Sequence, residues 1–253
     1  MKNILIFISP TKSFNNPRRD IINDAGVSVK VQIENSLELG WSKDDIMLFT
    51  NFSFEYAGIK AEVLRDVSFF ERKPQASKIN ALLKLFENGT IKTGEIYWFH
   101  DLDAFQLCPI PELVIDLETY DCALTDYGIA TRWSTGVIYF KESSKDIFVN
   151  IRDVMYKKNI DEERALTLLT RTNEEINKRV KKISKSFNFT PRCLKSMYAL
   201  VLKPIRVLHF HPLGEVRRGD SRRAFDFFKG ENSLQLRLIP DRLMKIFKFH
   251  AVK

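Results

Sequence analysis

A run of bulky apolar residues, Ile96-Tyr97-Trp98-Phe99, breaks off at His100-Asp101-Leu102-Asp103. Such a run suits a strand buried on both faces, as in a sheet covered by helices. Side chains two apart on an extended backbone point to the same side. On that reading Asp101 and Asp103 aim at one point just beyond the strand. Two converging hard oxygen ligands are what a Mg²⁺ or Mn²⁺ ion bridging phosphates requires.

Other apolar runs have strand length: residues 3–8, 46–50, 120–124, 136–140 and 207–211. Between them lie stretches of helical spacing at 25–39, which closes at Gly40, at 75–87, which closes at Asn88-Gly89, and at 161–180, which opens on Asp161. Residues 11–24 read as loop, 110–117 as a short helix or turn, and 192–202 as a further helix. Strands alternating with helices imply an α/β fold with a mainly parallel central sheet flanked by helices. Ligands of such sheets sit at the carboxyl ends of the strands, where Asp101 and Asp103 fall. No internal repeat or linker divides the chain. The expectation is one domain over 1–253, with a first half (1–140) that binds the ligand and a second half (141–253) that faces its reaction partner.

The apolar run near the amino terminus is too short for a signal-peptide core, and no segment approaches the ~18 apolar residues of a membrane span. Cys108, Cys122 and Cys193 are scattered and form no C-x-x-C pair, which argues against a zinc ribbon or a disulfide framework. A soluble, reducing, cytoplasmic setting is expected. Net charge is +8. Residues 176–214 hold nine basic residues and no acid, so the rest of the chain nets −1. A localised basic surface points to a polyanionic partner: nucleic acid, nucleotide phosphates or an anionic membrane face. A plain solvated helix face gives the same pattern.

Neither G-x-G-x-x-G nor G-x-x-x-x-G-K-[ST] is present, which argues against a Rossmann dinucleotide site and a P-loop; G-x-S-x-G and H-E-x-x-H are absent too. Four elements carry a resemblance. They are the opening strand ending in Ser9-Pro10-Thr11, the strand running into Asp101-Leu102-Asp103, Trp133-Ser134-Thr135-Gly136-Val137-Ile138-Tyr139-Phe140, and His211-Pro212-Leu213-Gly214-Glu215-Val216-Arg217. In that order, over residues 3–217, the chain resembles the GT-A glycosyltransferases, which use nucleotide-sugars and a D-x-D metal motif. The last element is similar to the H-x-x-G-x-x-K of the glycogenin-like branch, with Arg217 in place of Lys. A viral or phage relative is the other placement.

The resemblance implies that Asp101 and Asp103 hold Mn²⁺ or Mg²⁺ against a nucleotide diphosphate, with His211 completing the site; His209, two residues away, is the alternative. It implies donor contacts from Ser9, Thr11, Lys78, Asp101, Ser134, Thr135, Gly136, Gly214 and Arg217, and an approach of Glu162 and Glu163 to the sugars. Each residue also has a plainer reading. Glycine can be turn punctuation, acids in a first helical turn favour the helix dipole, and Lys78 can be a surface lysine. Arg217, Arg218, Arg222 and Arg223 can cover a diphosphate or lie in solvent. The expected activity is metal-dependent transfer of a hexose or pentose from a UDP-linked donor to a hydroxyl, in the retaining class. The first acceptor expected is hydroxymethyl-pyrimidine DNA, docked on residues 176–223. A nucleotidyltransferase using the same aspartates and a non-catalytic basic nucleic-acid-binding protein are the alternatives.

Overall fold

A computed structural model describes residues 1–9, 19–67, 69–70, 76–128, 132–190, 201–209 and 237–251. Thr11, His211, Gly214 and the arginines from Arg217 to Arg223 lie outside these, as does Cys193.

The elements are β1 (Lys2–Phe7), α1 (Arg19–Glu38), β2 (Ile46–Thr50), β3 (Glu55–Tyr56), β4 (Ile59–Lys60), β5 (Glu62–Val63), α2 (Ser77–Glu87), β6 (Tyr97–His100), β7 (Ala104–Gln106), β8 (Cys122–Asp126), β9 (Trp133–Phe140), α3 (Lys145–Lys158), α4 (Glu162–Thr172), α5 (Glu174–Arg179), β10 (Val180–Lys182), β11 (Val207–His209) and α6 (Asp241–Ala251). Seven strands form one sheet in the order β10-β8-β9-β6-β1-β2-β5. All its pairs are parallel except those that β9 makes with β6 and β8. The expected α/β architecture is present.

Burial explains the pattern. Tyr97 and Phe99 pack on one face of the sheet with Leu82, Phe86, Phe140, Phe148 and Leu166 from the α2–α4 side. Trp98 lies on the other face with Tyr139, Phe187 and Val207. On α1, the buried Gln32 and Asn35 face β7. Gln32 Nε2 donates to the Ala104 carbonyl at 2.7 Å and Asn35 Nδ2 to the Gln106 carbonyl at 2.9 Å, so a short strand outside the main sheet is braced by helix side chains. β7 pairs in turn with β11, antiparallel, His209 opposite Ala104.

Several sequence expectations change. α1 begins at Arg19, inside the stretch read as loop, and reaches Glu38. The helix expected over 161–180 is two, because Asn173 leaves helical geometry (φ −128°, ψ 102°) and its side chain caps α5 by accepting from Ile176 N. α3 and α6 add to the expected set. Residues 110–117 contain a single 3₁₀ turn at Glu112–Val114. Residues 201–202, at the end of the helix expected over 192–202, are not helical.

Candidate active site and metal centre

β6 stops at His100, and Ala104 N donates to the Asp101 carbonyl at 2.9 Å. Asp101, Leu102 and Asp103 therefore form a tight turn between β6 and β7. Their carboxylates converge because the chain turns, not because an extended strand alternates. Gln32 Nε2 anchors the turn at the Leu102 carbonyl (3.3 Å), and Asp101 N donates to the Gly136 carbonyl at 2.8 Å.

The pairing of β11 with β7 delivers His209 to this turn. Its Nε2 lies 3.1 Å from Asp103 Oδ1 and 3.9 Å from Asp101 Oδ2. Ligand atoms of Asp101, Asp103 and His209 all lie within 4.8 Å of one another. His209 Nδ1 meets Asn188 Oδ1 at 3.0 Å, and Asn188 Nδ2 donates to Ser134 Oγ at 2.9 Å. An imidazole held at Nδ1 presents Nε2 to a ligand, the usual support of a metal-binding histidine. Burial opposes a charge on His209, but the carboxylates of Asp103 and Asp101 together outweigh it, and the histidine pKa is raised.

Gly136 is not at a strand start. It sits inside β9, where the pairing with β8 jumps from Leu124–Ile138 to Thr125–Ser134. A Cβ at Gly136 would fall 2.1 Å from His209 Cε1 and 2.5 Å from Nδ1. The close approach that this glycine permits is by the histidine ring.

Lys78 is buried, at the start of α2. Its Nζ donates to Asp101 Oδ1 at 2.8 Å, to Oδ2 at 3.1 Å and to the Thr135 carbonyl at 3.1 Å, and lies 3.2 Å from Glu162 Oε1. Burial disfavours its charge, but Asp101 and Glu162 outweigh that, so its pKa is raised and it stays an ammonium. Thr135 Oγ1 also donates to Glu162 Oε1, at 3.1 Å. The second oxygen, Glu162 Oε2, is buried with no hydrogen-bond partner among the described residues. Glu163 differs from its neighbour: Tyr127 Oη donates to Oε1 at 2.6 Å and Arg132 Nη2 to Oε2 at 3.1 Å, so both oxygens are engaged.

No protein-family model and no curated protein matches the sequence. Solved structures do match the fold. The galactosyltransferase LgtC, in complex with donor and acceptor sugar analogs, is 13% identical with a TM-score of 0.53, over 98% of this chain and 95% of that one. The glycosyltransferase GlyE of Streptococcus pneumoniae TIGR4 is 11% identical with a TM-score of 0.54, over 97% of this chain and 64% of that one. The bifunctional glycosyltransferase WbbM is 13% identical with a TM-score of 0.53, over 98% and 51%. The chain has the GT-A fold.

On this GT-A sheet, Lys78, Asp101, Asp103, Ser134, Thr135, Gly136, Glu162 and His209 come together, with Glu163 beside them. Ser9 is held at the end of β1, where its N donates to Asn51 Oδ1 (2.9 Å) and its carbonyl accepts from Asn51 Nδ2 (2.7 Å). Asn188, Tyr127 and Arg132 were not legible as site residues. None belongs to a spaced motif, and each is recruited through a contact made only on folding. Among the described residues of the basic run, four cations are held in ion pairs, which lends the expectation of DNA docking no support; Arg192 and Lys195 lie outside those residues. Lys178 pairs with Glu174 and Glu175, Arg179 with Asp121 and Asp146, Lys181 with Asp116, and Lys182 with Asp126. No helix among the described residues is long and apolar enough to cross a membrane.

Proposed function

We propose that the protein is a metal-dependent glycosyltransferase that moves a sugar from a nucleotide-sugar to a hydroxyl acceptor. The observation that carries this is the meeting of Asp101, Asp103 and His209 beside the Lys78–Glu162 pair, on a fold shared with glycosyltransferases.

The residues fit a divalent cation. Two carboxylates and one imidazole suit Mn²⁺ or Mg²⁺ better than a softer ion. Among the described residues, four carboxylates (Asp101, Asp103, Glu162 and Glu163) gather around the permanent cations Lys78 and Arg132, a carboxylate-rich corner that suits a divalent cation. When bound, the ion supplies stabilisation of the charge that builds on the leaving nucleoside diphosphate.

The remaining chemistry is the chain's own. Lys78 fixes Asp101 with two hydrogen bonds and holds Glu162 at the same time, so the metal corner and the acidic helix start keep one geometry. Glu162 carries the role of facing the donor sugar. Its Oε2 is a buried acceptor with no partner among the described residues, suited to a sugar hydroxyl or to the positive charge at the anomeric carbon. Glu163, with both oxygens held, positions α4 and orders Tyr127 and Arg132. The donor is taken as UDP-linked and the class as retaining, both on the sequence resemblance.

A thermal-shift panel of nucleoside diphosphates with and without Mn²⁺ tests the reading, alongside hydrolysis of labelled UDP-sugars. UDP should stabilise the protein only with Mn²⁺. Asp103→Ala and His209→Ala should lose that stabilisation and donor hydrolysis together. Consumption of nucleoside triphosphates in place of nucleotide-sugars would turn the assignment to nucleotidyl transfer.

A further inference from the structure

A groove lies on the far side of α2. Lys78 points into the reaction centre, whereas Asn80, Leu83, Lys84 and Glu87 project roughly half a turn away around the helix. With Arg152, Asp153 and Tyr156 of α3 they line a groove of about 430 Å³. That volume lies in the ~300–1,000 Å³ range of small-molecule sites.

We propose that this groove is a binding site for an uncharged oligosaccharide, separate from the catalytic cleft. Three observations carry it. First, Tyr156 is 48% exposed in the groove although it is a large aromatic. Its ring is fixed edge-on by Phe70 at 4.8 Å and its hydroxyl by Asn80 Nδ2 at 3.0 Å. An ordered, half-exposed ring offers a flat apolar surface for the C–H face of a sugar at low entropic cost.

Second, the polar lining mixes signs. Asp66, Glu87 and Asp153 are interspersed with Lys84 and Arg152, and Asn80 adds an amide. A polyanion would meet the carboxylates and a polycation the ammonium and guanidinium. A hydroxyl donates and accepts at once, so a polyol satisfies both kinds of group. Third, the polar groups are already oriented. Arg152 grips Asp153 Oδ1 through Nε (3.1 Å) and Nη2 (3.0 Å), and Lys84 lies 3.6 Å from Glu87. Less freedom is then lost on binding.

The choice of a saccharide over other polyols rests on the transferase reading above. The groove would tether the glycan being extended and raise its effective concentration at the reaction centre across α2.

A microarray of uncharged oligosaccharides of about two to six residues, followed by calorimetry with the strongest binder, tests the proposal. Both are run without donor or Mn²⁺. The wild type should bind. Tyr156→Ala and Arg152→Ala should each weaken binding by about tenfold or more. Tyr156→Phe, which keeps the ring, should stay within about threefold. Hydrolysis of the UDP-sugar should be unchanged in all three variants, which also reports that they are folded. No binding by the wild type, or undiminished binding by the Tyr156→Ala/Arg152→Ala double variant, overturns the site. A protein that hydrolyses the donor but binds no oligosaccharide overturns this site alone. One that binds through Tyr156 but consumes no donor overturns the transferase reading alone.

Discussion

Gly136 and His209 form a matched pair: the histidine ring occupies the space that any other residue's Cβ would take. His209 cannot yield cheaply, because Asn188 holds Nδ1 and the β7 pairing fixes its backbone. Gly136→Ala should therefore cost about 1–3 kcal/mol as overpacking. By displacing the imidazole it should also weaken Mn²⁺-dependent UDP binding by about 10–100-fold, the usual effect of disturbing a ligand's support. Titration calorimetry of UDP with Mn²⁺ checks this; unchanged affinity would remove His209 from the metal site. The two glutamates should separate as well. Glu162→Gln should lower kcat for donor hydrolysis by about 100-fold or more, as expected for a charge facing the transition state. Glu163→Gln, whose oxygens already have protein partners, should cost much less in kcat and show mainly as a lower Tm. Equal losses in kcat would contradict the division of roles. At this scale the sequence showed which residues have suitable chemistry. It did not show that Glu162 keeps a vacant oxygen while Glu163 keeps none, since that depends on where Tyr127, Arg132 and Thr135 end up.

Among the elements, the acid-free run beginning at Ile176, inside α5, shows how a linear charge pattern differs from a charged surface. Arg179 ends α5 and reaches Asp121, just before β8, and the Ser143 carbonyl and Asp146 at the start of α3. It joins three elements that are far apart in sequence. Arg179→Ala should reduce stability by about 1–2 kcal/mol, moderated by partial solvent exposure. Lys178→Ala, whose partners are exposed glutamates one helical turn away, should leave it nearly unchanged. Urea unfolding of the two variants measures the contrast. The break between α4 and α5 was legible in retrospect: Asn173 before Glu174, Glu175 and the apolar Ile176 is an N-cap pattern. The buried set of α3 (Ile147, Phe148, Ile151, Met155) likewise follows helical spacing.

For the molecule as a whole, the sheet interior controls the response to alkaline pH. Cys122 on β8 is fully buried, and desolvation pushes its thiol up to about 12 from 9.0. Burial and the Glu95 hydrogen bond raise the Tyr97 hydroxyl to about 12 from 10.0. In both cases the folded state keeps a proton that the unfolded chain releases first. Their contribution to stability is therefore full below about pH 9 and declines as pH rises towards 12. Denaturant unfolding between pH 8 and 11 should show this loss, and Cys122→Ala should remove the thiol's share of it while that of Tyr97 persists. Native protein should leave Cys122 unalkylated by iodoacetamide, as peptide mass spectrometry would report, with modification appearing only on unfolding.

The sequence by itself determined what is local. Apolar runs of strand length, helical spacing between them and the two aspartates closing one run are properties of neighbouring residues, and steric and hydrophobic preferences act at that range. They were enough to imply the α/β class and to place the acidic pair at a strand end. Tertiary structure alone brought His209 to those carboxylates, 106 residues from Asp103, and paired Lys178, Arg179, Lys181 and Lys182 internally. It also decided the sheet order, with β9 running antiparallel between β6 and β8. These outcomes depend on packing and register between distant segments, which no local spacing encodes.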